Sequence, residues 1–187
     1  MLKLILAAAL AATATVAWAA PLVFAYEGQE RGGAGVISGQ VSYDPTAPDD
    51  TGPNGFGTYT LGVRFTGAIA GGAFDGETFD IDPATVQVAD TTPGGASNDQ
   101  ILWFDPNAPT GQRTQLLLRG PDDLFDSAAL PATLALGDFT ELSLVRVRED
   151  VLGMQRTTFD LTTLGVVPLP AAAPLLGGAL LARVGLA

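Results

Sequence analysis

The sequence of 187 residues contains no cysteine and no histidine. Without a thiol or an imidazole, the chain has no Cys/His zinc site, no Ser-His-Asp triad, no haem attachment and no imidazole proton shuttle. Disulfides are excluded as well, so core packing and backbone hydrogen bonds must hold the fold together. Whole classes of catalytic and metal chemistry are therefore closed to this protein.

Positive charge is also scarce. Lys3 and Arg183 lie near the two ends of the sequence, and the body between them carries seven arginines and all 20 acidic residues. The formal charge of the body is therefore 7 minus 20, or −13. A surface of that sign repels nucleic acid and anionic lipid headgroups, although it is compatible with divalent cations. We expect no nucleic-acid partner.

The N-terminus has the three-part layout of a secretory signal peptide. Lys3 supplies the charge, Leu4 to Val16 form the apolar segment, and Ala17-Trp18-Ala19 places small residues at both positions needed for cleavage. Cleavage after Ala19 makes Ala20 the first mature residue, and the apolar segment is too short to span a bilayer. A buried N-terminal helix is the alternative. The sequence thus predicts export.

Residues 20–166 have the length of one domain with a single core. Tyr59 to Thr66 alternates apolar and polar side chains, a period of two that predicts a strand with one buried face. Further short strands are predicted at Gly35–Tyr43, Phe74–Ile81, Thr85–Val88, Gln100–Phe104, Arg113–Arg119, Phe139–Arg148 and Arg156–Leu161. Such strands, separated by Pro, Gly and Asp turns without crossover helices, predict an all-β fold: an antiparallel two-sheet β-sandwich, jelly-roll-like.

Two parts of the body have irregular patterns. In Phe139–Arg148 the leucines would face one side of a regular strand and the valines the other. A bulge near Leu144-Val145 would turn both sets of side chains to the same side. Asp122 to Leu130 has room for a helical segment of a turn or two between flanking prolines. The final strand is predicted to close at about Leu161, so we expect a chain that ends near Leu164 to fold normally.

Two groups of acidic residues are candidate Ca²⁺ ligands, because calcium takes oxygen ligands. The first group holds Asp75, Glu77, Asp80 and Asp82, and the second holds Asp44, Asp49, Asp50 and Asn54. Neither has the spacing of a known calcium loop, and aspartates beside prolines are typical turn formers. We therefore predict no metal ligands and no cofactor.

Exposed aromatic side chains would be able to stack sugars, and paired carboxylates would be able to cleave glycosidic bonds. The aromatic candidates are Trp103, Tyr26, Tyr43 and Tyr59. Trp103 lies within Ile101–Phe104, where the run of buried residue types favours a core position. Gly32-Gly33-Ala34-Gly35 is interpreted as a turn, because no Lys-Ser/Thr pair follows it as a phosphate loop requires. We predict no catalytic residues and no enzymatic activity.

The C-terminal residues indicate a sorting signal. Val167-Pro168-Leu169-Pro170-Ala171 precedes an almost uncharged stretch in which Arg183 is the one cation. This tail resembles the VPLPA-type member of the PEP-CTERM class of sorting signals. The resemblance implies that an exosortase in the membrane of exopolysaccharide-producing bacteria recognises the motif, and that the hydrophobic segment holds the precursor in the bilayer. As a helix, Ala171 to Ala187 would reach about 25 Å, nearly a hydrocarbon thickness.

The basic cluster usual after such a segment is reduced to Arg183, which weakens the positive-inside anchor. A flexible apolar C-terminus that docks on the domain is the alternative to a sorting signal. More loosely, the body is similar to a group of exported proteins with such tails. The similarity is carried by Ile37–Asp44, Pro48-Asp49, Ser127–Pro131 and Asp138-Phe139. That group implies export and a β fold, but no activity.

The sequence therefore predicts an exported protein of the cell envelope, cell surface or extracellular matrix. A signal peptide occupies residues 1–19, a β-sandwich domain residues 20–166 and the sorting tail residues 167–187. The expected partners are an exosortase-like membrane enzyme and exopolysaccharide, with membrane anchorage through the tail before processing. A secreted carbohydrate- or Ca²⁺-binding module is the alternative, and a glycoside-cleaving enzyme a third possibility. A binding module needs a concave sheet face with exposed aromatics or convergent carboxylates.

Overall fold

The computed structural model describes residues 20–50, 56–90, 99–150 and 153–168. They form ten strands: β1 (Leu22–Glu30), β2 (Val36–Tyr43), β3 (Phe56–Tyr59), β4 (Arg64–Ala70), β5 (Thr78–Ile81), β6 (Thr85–Ala89), β7 (Gln100–Phe104), β8 (Arg113–Arg119), β9 (Glu141–Asp150) and β10 (Gly153–Val166). Helical structure in these residues is limited to 3₁₀ turns at Gly72–Phe74 and Leu136–Asp138. Within the same residues, no helix has the length and hydrophobicity of a bilayer span. The predicted all-β class is confirmed.

All ten strands belong to one antiparallel sheet, in the order β3-β6-β7-β8-β9-β10-β1-β2-β4-β5. The structure thus differs from the predicted pair of sheets, because the hydrogen-bonded ladder continues from one edge to the other. The sheet curls strongly into a half-barrel. Its two halves face each other across a core, as the sheets of a sandwich do. The period of two predicts a buried face on each strand, but it does not reveal which strands are hydrogen-bonded neighbours.

The core fills the concave face of the curled sheet. Fully buried side chains come from both halves and include Phe24, Tyr26, Val41, Phe65, Val86, Ile101, Leu116 and Leu144. In the middle, Tyr43 of β2 meets Trp103 of β7, with ring centroids 6.2 Å apart. Since the sequence contains no cysteine to form a disulfide, this apolar burial is the main source of stability.

The irregular segment after β8 covers one end of the core. Two core tyrosines donate hydrogen bonds to its backbone: Tyr59 to the Ala128 carbonyl at 2.9 Å, and Tyr43 to the Pro131 carbonyl at 2.8 Å. Residues 122–130 form turns and bends instead of the helical segment considered from the sequence. This irregular backbone leaves carbonyls free to accept the tyrosine hydrogen bonds, whereas a helix would use its carbonyls internally.

Tyr59–Thr66, predicted as a single strand, contains a chain reversal. β3 ends at Tyr59, the chain turns at Gly62 with a φ of 72°, and β4 begins at Arg64. Glycine adopts that φ without steric cost, which permits the turn. Tyr59 and Phe65 are both buried although their strands lie in opposite halves of the sheet. The alternation of apolar and polar residues therefore continues through the turn, so the sequence pattern does not reveal the turn.

β9 has no bulge at Leu144-Val145, contrary to the prediction, because it pairs in continuous register with both β8 and β10. Leu144 is buried in the core, while Val145 and Val147 lie on the opposite, convex face and are half-buried. The register shift occurs instead in β1, between Glu27 and Gly28. The leucines and valines of β9 therefore lie on opposite faces of the strand, and both faces carry apolar side chains.

β10 continues past the predicted end at Leu161 and stops at Val166. Its C-terminal half pairs with β1, a strand that the sequence did not predict. Immediately after β10, the Val167 N–H donates a hydrogen bond to the Val23 carbonyl at 2.8 Å. The predicted strand end at about Leu161 is therefore wrong, and a chain that ended near Leu164 would be cut within β10. That such a chain folds normally stays a prediction.

Candidate functional site

The first candidate calcium group is dispersed, because its carboxylates have separate partners. Asp75 accepts a hydrogen bond from the Gly71 N–H at 2.6 Å, and Asp80 accepts two from the Arg64 guanidinium. The hydrogen bonds from Arg64 hold the pKa of Asp80 below its ordinary value. Asp82 is exposed. In the described part of the chain, no three acidic residues form a group able to hold a metal ion.

The second acidic group attaches a proline-rich connector to the outer edge of the sheet. The Asp44 carboxylate accepts hydrogen bonds from the N–H and the hydroxyl of Thr46, and these lower its pKa. Asp49 accepts a hydrogen bond from a backbone N–H of β3 at 3.0 Å, and the Asp50 N–H donates to a β3 carbonyl at 2.8 Å. Asn54 lies outside the described residues. The connector therefore protects an edge strand.

The four candidate sugar-stacking side chains all lie in the core. Trp103 and Tyr43 are fully buried, and Tyr26 and Tyr59 nearly so. Burial raises the pKa of Tyr26 and Tyr43, because it disfavours the phenolate. The core position predicted for Trp103 is confirmed. None of the four can stack on a sugar at the surface.

A group of charged side chains occupies one end of the concave face, around Glu77. Its carboxylate accepts a hydrogen bond from the Arg146 Nε at 3.1 Å and forms a second ion pair with Arg148. The side chains of Glu77 and Arg146 are only 20% and 14% exposed. The Arg148 guanidinium also lies over the Phe74 ring, 5.0 Å from its centroid. We call these three ionised residues, Glu77, Arg146 and Arg148, the charged clasp.

The charged clasp links distant parts of the half-barrel. Glu77 precedes β5 at one edge of the sheet, whereas both arginines belong to β9 in the other half. Further hydrogen bonds run from Arg146 to the Thr114 hydroxyl of β8, and from Arg148 to the Gln155 amide oxygen of β10 at 2.9 Å. The clasp therefore joins β8, β9 and β10 to the residue that precedes β5.

The sequence reasoning grouped Glu77 with calcium ligands and missed both of its arginines. A signal was present, because Arg146 and Arg148 share the parity of Leu142 and Leu144 and so continue the core-facing side of β9. A charged residue at a core-facing position needs a partner of opposite sign. The identity of that partner, far away in the sequence, depends on how the sheet curls.

Carboxylates elsewhere in the domain also accept hydrogen bonds from neighbouring side chains and backbone. Arginine does not deprotonate in proteins, and a glycosidase needs one carboxyl group that keeps its proton near neutral pH. At Glu30, hydrogen bonds from the Thr157 hydroxyl and then from the Gly35 N–H lower the pKa. Arg31 lowers the pKa of Asp160 in the same way. These carboxylates are held ionised and act as hydrogen-bond acceptors.

The junctions with the two predicted sorting segments lie at one end of the sheet. Ala20 is exposed ahead of β1, and Val167 and Pro168 follow β10. Ala19 and the remaining motif residues, Leu169, Pro170 and Ala171, lie outside the described residues, as do the predicted signal peptide and hydrophobic segment. No protein-family model, curated protein or solved structure matches the chain.

Proposed function

We propose that the chain is an exported, non-catalytic domain of the cell surface or extracellular matrix, held at the membrane by its C-terminal tail until a sorting enzyme processes it. One observation carries the proposal. The Val167 N–H bonds to the Val23 carbonyl at 2.8 Å, and Phe24 opposes Val166 in the ladder between β1 and β10. The chain therefore enters and leaves the domain at the same end of two adjacent strands.

This adjacency suits a precursor with an apolar segment at each end. Neighbouring strands are about 4.8 Å apart, so a signal peptide before Ala20 and an apolar tail after Pro168 can occupy one bilayer side by side. The domain then stays on one side of that bilayer, and no strand has to leave the sheet. A fold with its ends at opposite poles would need long linkers to reach the same membrane.

The proposed partner is an exosortase-like membrane enzyme that recognises Val167-Pro168-Leu169-Pro170-Ala171. The two prolines keep this segment extended, the form that a processing enzyme can grip. The domain itself needs only stability and solubility in an exopolysaccharide matrix, and a formal charge of −13 favours solubility. The charged clasp and the apolar core stabilise the fold, and the proposed role requires no catalysis.

The alternative, a secreted carbohydrate- or Ca²⁺-binding module, required exposed aromatic side chains or free carboxylates. The four aromatic candidates are buried, and most of the acidic candidates are hydrogen-bonded within the protein. A binding role therefore requires a different surface.

Expression of the full chain in an exosortase-containing bacterium tests the proposal. We expect a membrane-bound precursor and a released form that begins at Ala20. Substitution of Pro168 and Pro170 by alanine should block release without changing stability, whereas the turn variant Pro106→Ala, the matched control, should be released normally. A chain that ends at Pro168 should be secreted and should unfold cooperatively. Full-length protein that is wholly soluble without cleavage, or that retains Met1, would overturn the proposal.

A further inference from the structure

The arginines of the domain fall into two sets. Five of the seven form ion pairs: Arg31 with Asp160, Arg64 with Asp80, Arg119 with Glu141, and Arg146 and Arg148 with Glu77. Within the described residues, Arg113 and Arg156 have no carboxylate at ion-pairing distance. In a body with 20 acidic residues, these two guanidinium groups are the ones left uncompensated.

Arg113 and Arg156 lie in one row on the convex face. Arg113 of β8 and Arg156 of β10 are both register partners of Val147 on β9, the strand between them. Register partners project to the same face, and adjacent strands are about 4.8 Å apart. The two arginine backbones are therefore separated by about 10 Å, twice the strand spacing. Both side chains are exposed.

The row crosses a groove with a volume of about 320 Å³. Val145 and Val147 are among its lining residues, together with Met154, which is 70% exposed, and Gln115. Small-molecule sites in proteins begin at about this volume and combine apolar walls with a few convergent polar groups. The groove thus joins two unpaired cations to an apolar surface.

We propose that this groove binds a small organic dianion that has two carboxylates, one for each arginine. Each guanidinium can donate two parallel hydrogen bonds to the oxygens of one carboxylate. The valines between the arginines then contact the middle of the ligand. The inference does not depend on the proposed export. It relies on recognition by charge and not on the aromatic sugar stacking considered as an alternative from the sequence.

The surroundings limit the ligand to a short dianion. Nucleic acid and anionic membranes would meet the repulsion of a domain at −13, and two arginines fall short of the four to eight cations typical of lipid-binding clusters. A peptide cannot join β8, β9 or β10 as an extra strand, because each of these strands already has a neighbour on both sides.

Glu149 supplies an internal check on this site. It lies on the convex face of β9, two residues beyond Val147, and its carboxylate sits against Gly111 at the rim of the groove. No arginine is ion-paired with it in the described residues. A negative charge there opposes a dianion, so its removal should strengthen binding.

Titration calorimetry on the full chain in mild detergent tests the proposal, with two dianionic probes: suberate, an aliphatic dicarboxylate, and digalacturonate, an acidic disaccharide. The neutral counterparts are 1,8-octanediol and a neutral disaccharide. We expect at least one dianion to bind and neither neutral probe to do so. The dianion that binds more tightly identifies the source of the two carboxylates.

Variants locate the site. Arg113→Gln and Arg156→Gln should each weaken binding at least about tenfold, the loss of one charge-assisted pair. Glu149→Gln should strengthen binding about two- to fivefold, and Arg31→Gln, which removes a paired arginine elsewhere, should leave affinity unchanged. Circular dichroism checks that the variants fold. Failure of both dianions to bind, unaltered affinity in the two arginine variants, or tighter binding of polyglutamate than of either dianion would overturn the proposal.

Discussion

Substitution of Glu77 by glutamine should be among the most damaging changes of charge in this domain. The carboxylate lies between Arg146 and Arg148, and its side chain is 20% exposed. Glutamine keeps the shape but leaves two guanidinium groups side by side without an anion, and the Arg146 side chain is only 14% exposed to water. The uncompensated cations destabilise the folded state, because both are hydrated in the unfolded chain.

The magnitude follows from burial. Removal of one partner costs about 3–5 kcal/mol for a buried ion pair and about 0.2–1 kcal/mol for an exposed one. With Glu77 and Arg146 at 20% and 14% exposure and Arg148 at 33%, the clasp lies between the two limits and nearer the buried one, so we expect a loss of about 3 kcal/mol in the free energy of unfolding. For a domain of this size that loss lowers the melting temperature by about 6–12 °C.

Urea denaturation of wild type, Glu77→Gln and the triple variant Glu77→Met, Arg146→Met, Arg148→Met measures the effect. Because replacement of a whole buried ionic group by apolar residues is often neutral or stabilising, the triple variant should recover most of the loss. Asp80→Asn, which breaks an exposed pair with Arg64, is the matched control and should barely move the midpoint. A loss below about 1 kcal/mol in Glu77→Gln, or a triple variant less stable than the single one, would refute the reasoning.

The remaining predictions concern pH and close packing. The folded-state pKa of Glu30 is lowered, so its stabilisation is present above its unfolded pKa of about 4.3 and is lost as pH falls through the folded pKa; melting temperatures should fall below about pH 4.5, and less steeply in Glu30→Gln. Burial raises the pKa of Tyr26, so stability should fall as pH rises above about 10, and Tyr26→Phe should reduce that loss. Gly39→Ala places a Cβ against the Thr66 carbonyl oxygen and should cost about 1–3 kcal/mol in urea denaturation, whereas Gly137→Ala, which meets nothing within 4 Å, should not.

Strand positions were the most predictable part of the fold. Gln100–Phe104 and Arg113–Arg119 have in the structure the bounds expected from their sequence. In Arg113–Arg119, buried positions alternate with exposed or half-buried ones, so the period of two is visible in the residues. β1 was missed because apolar residues of both parities fill its first half, from Leu22 to Tyr26, and no alternation is left to detect. Local patterns therefore predict strands only where one face differs from the other.

Pairing between strands was beyond reach of the sequence. The predicted sandwich had two sheets, whereas the structure has one, because β1 pairs with β10. These two strands are more than a hundred residues apart in the sequence. The candidate sites failed for the same reason. The burial of Tyr26 and the binding of Glu77 by Arg146 both follow from the curl of the sheet. The absence of a carboxylate partner for Arg113 and Arg156 among the described residues follows from it as well, because ion pairing depends on which residues are close in space.

The pairing of β1 with β10 also sets the order in which the domain can form. These two strands lie next to each other inside the sheet, so no strand of one half pairs with a strand of the other until the last strand has been synthesised. Contacts of such long sequence separation slow folding, because the loop between them must close first. Completion of the sheet thus waits for the synthesis of β10. Until β10 is made, a nascent polypeptide with this topology can form at most two separate groups of paired strands.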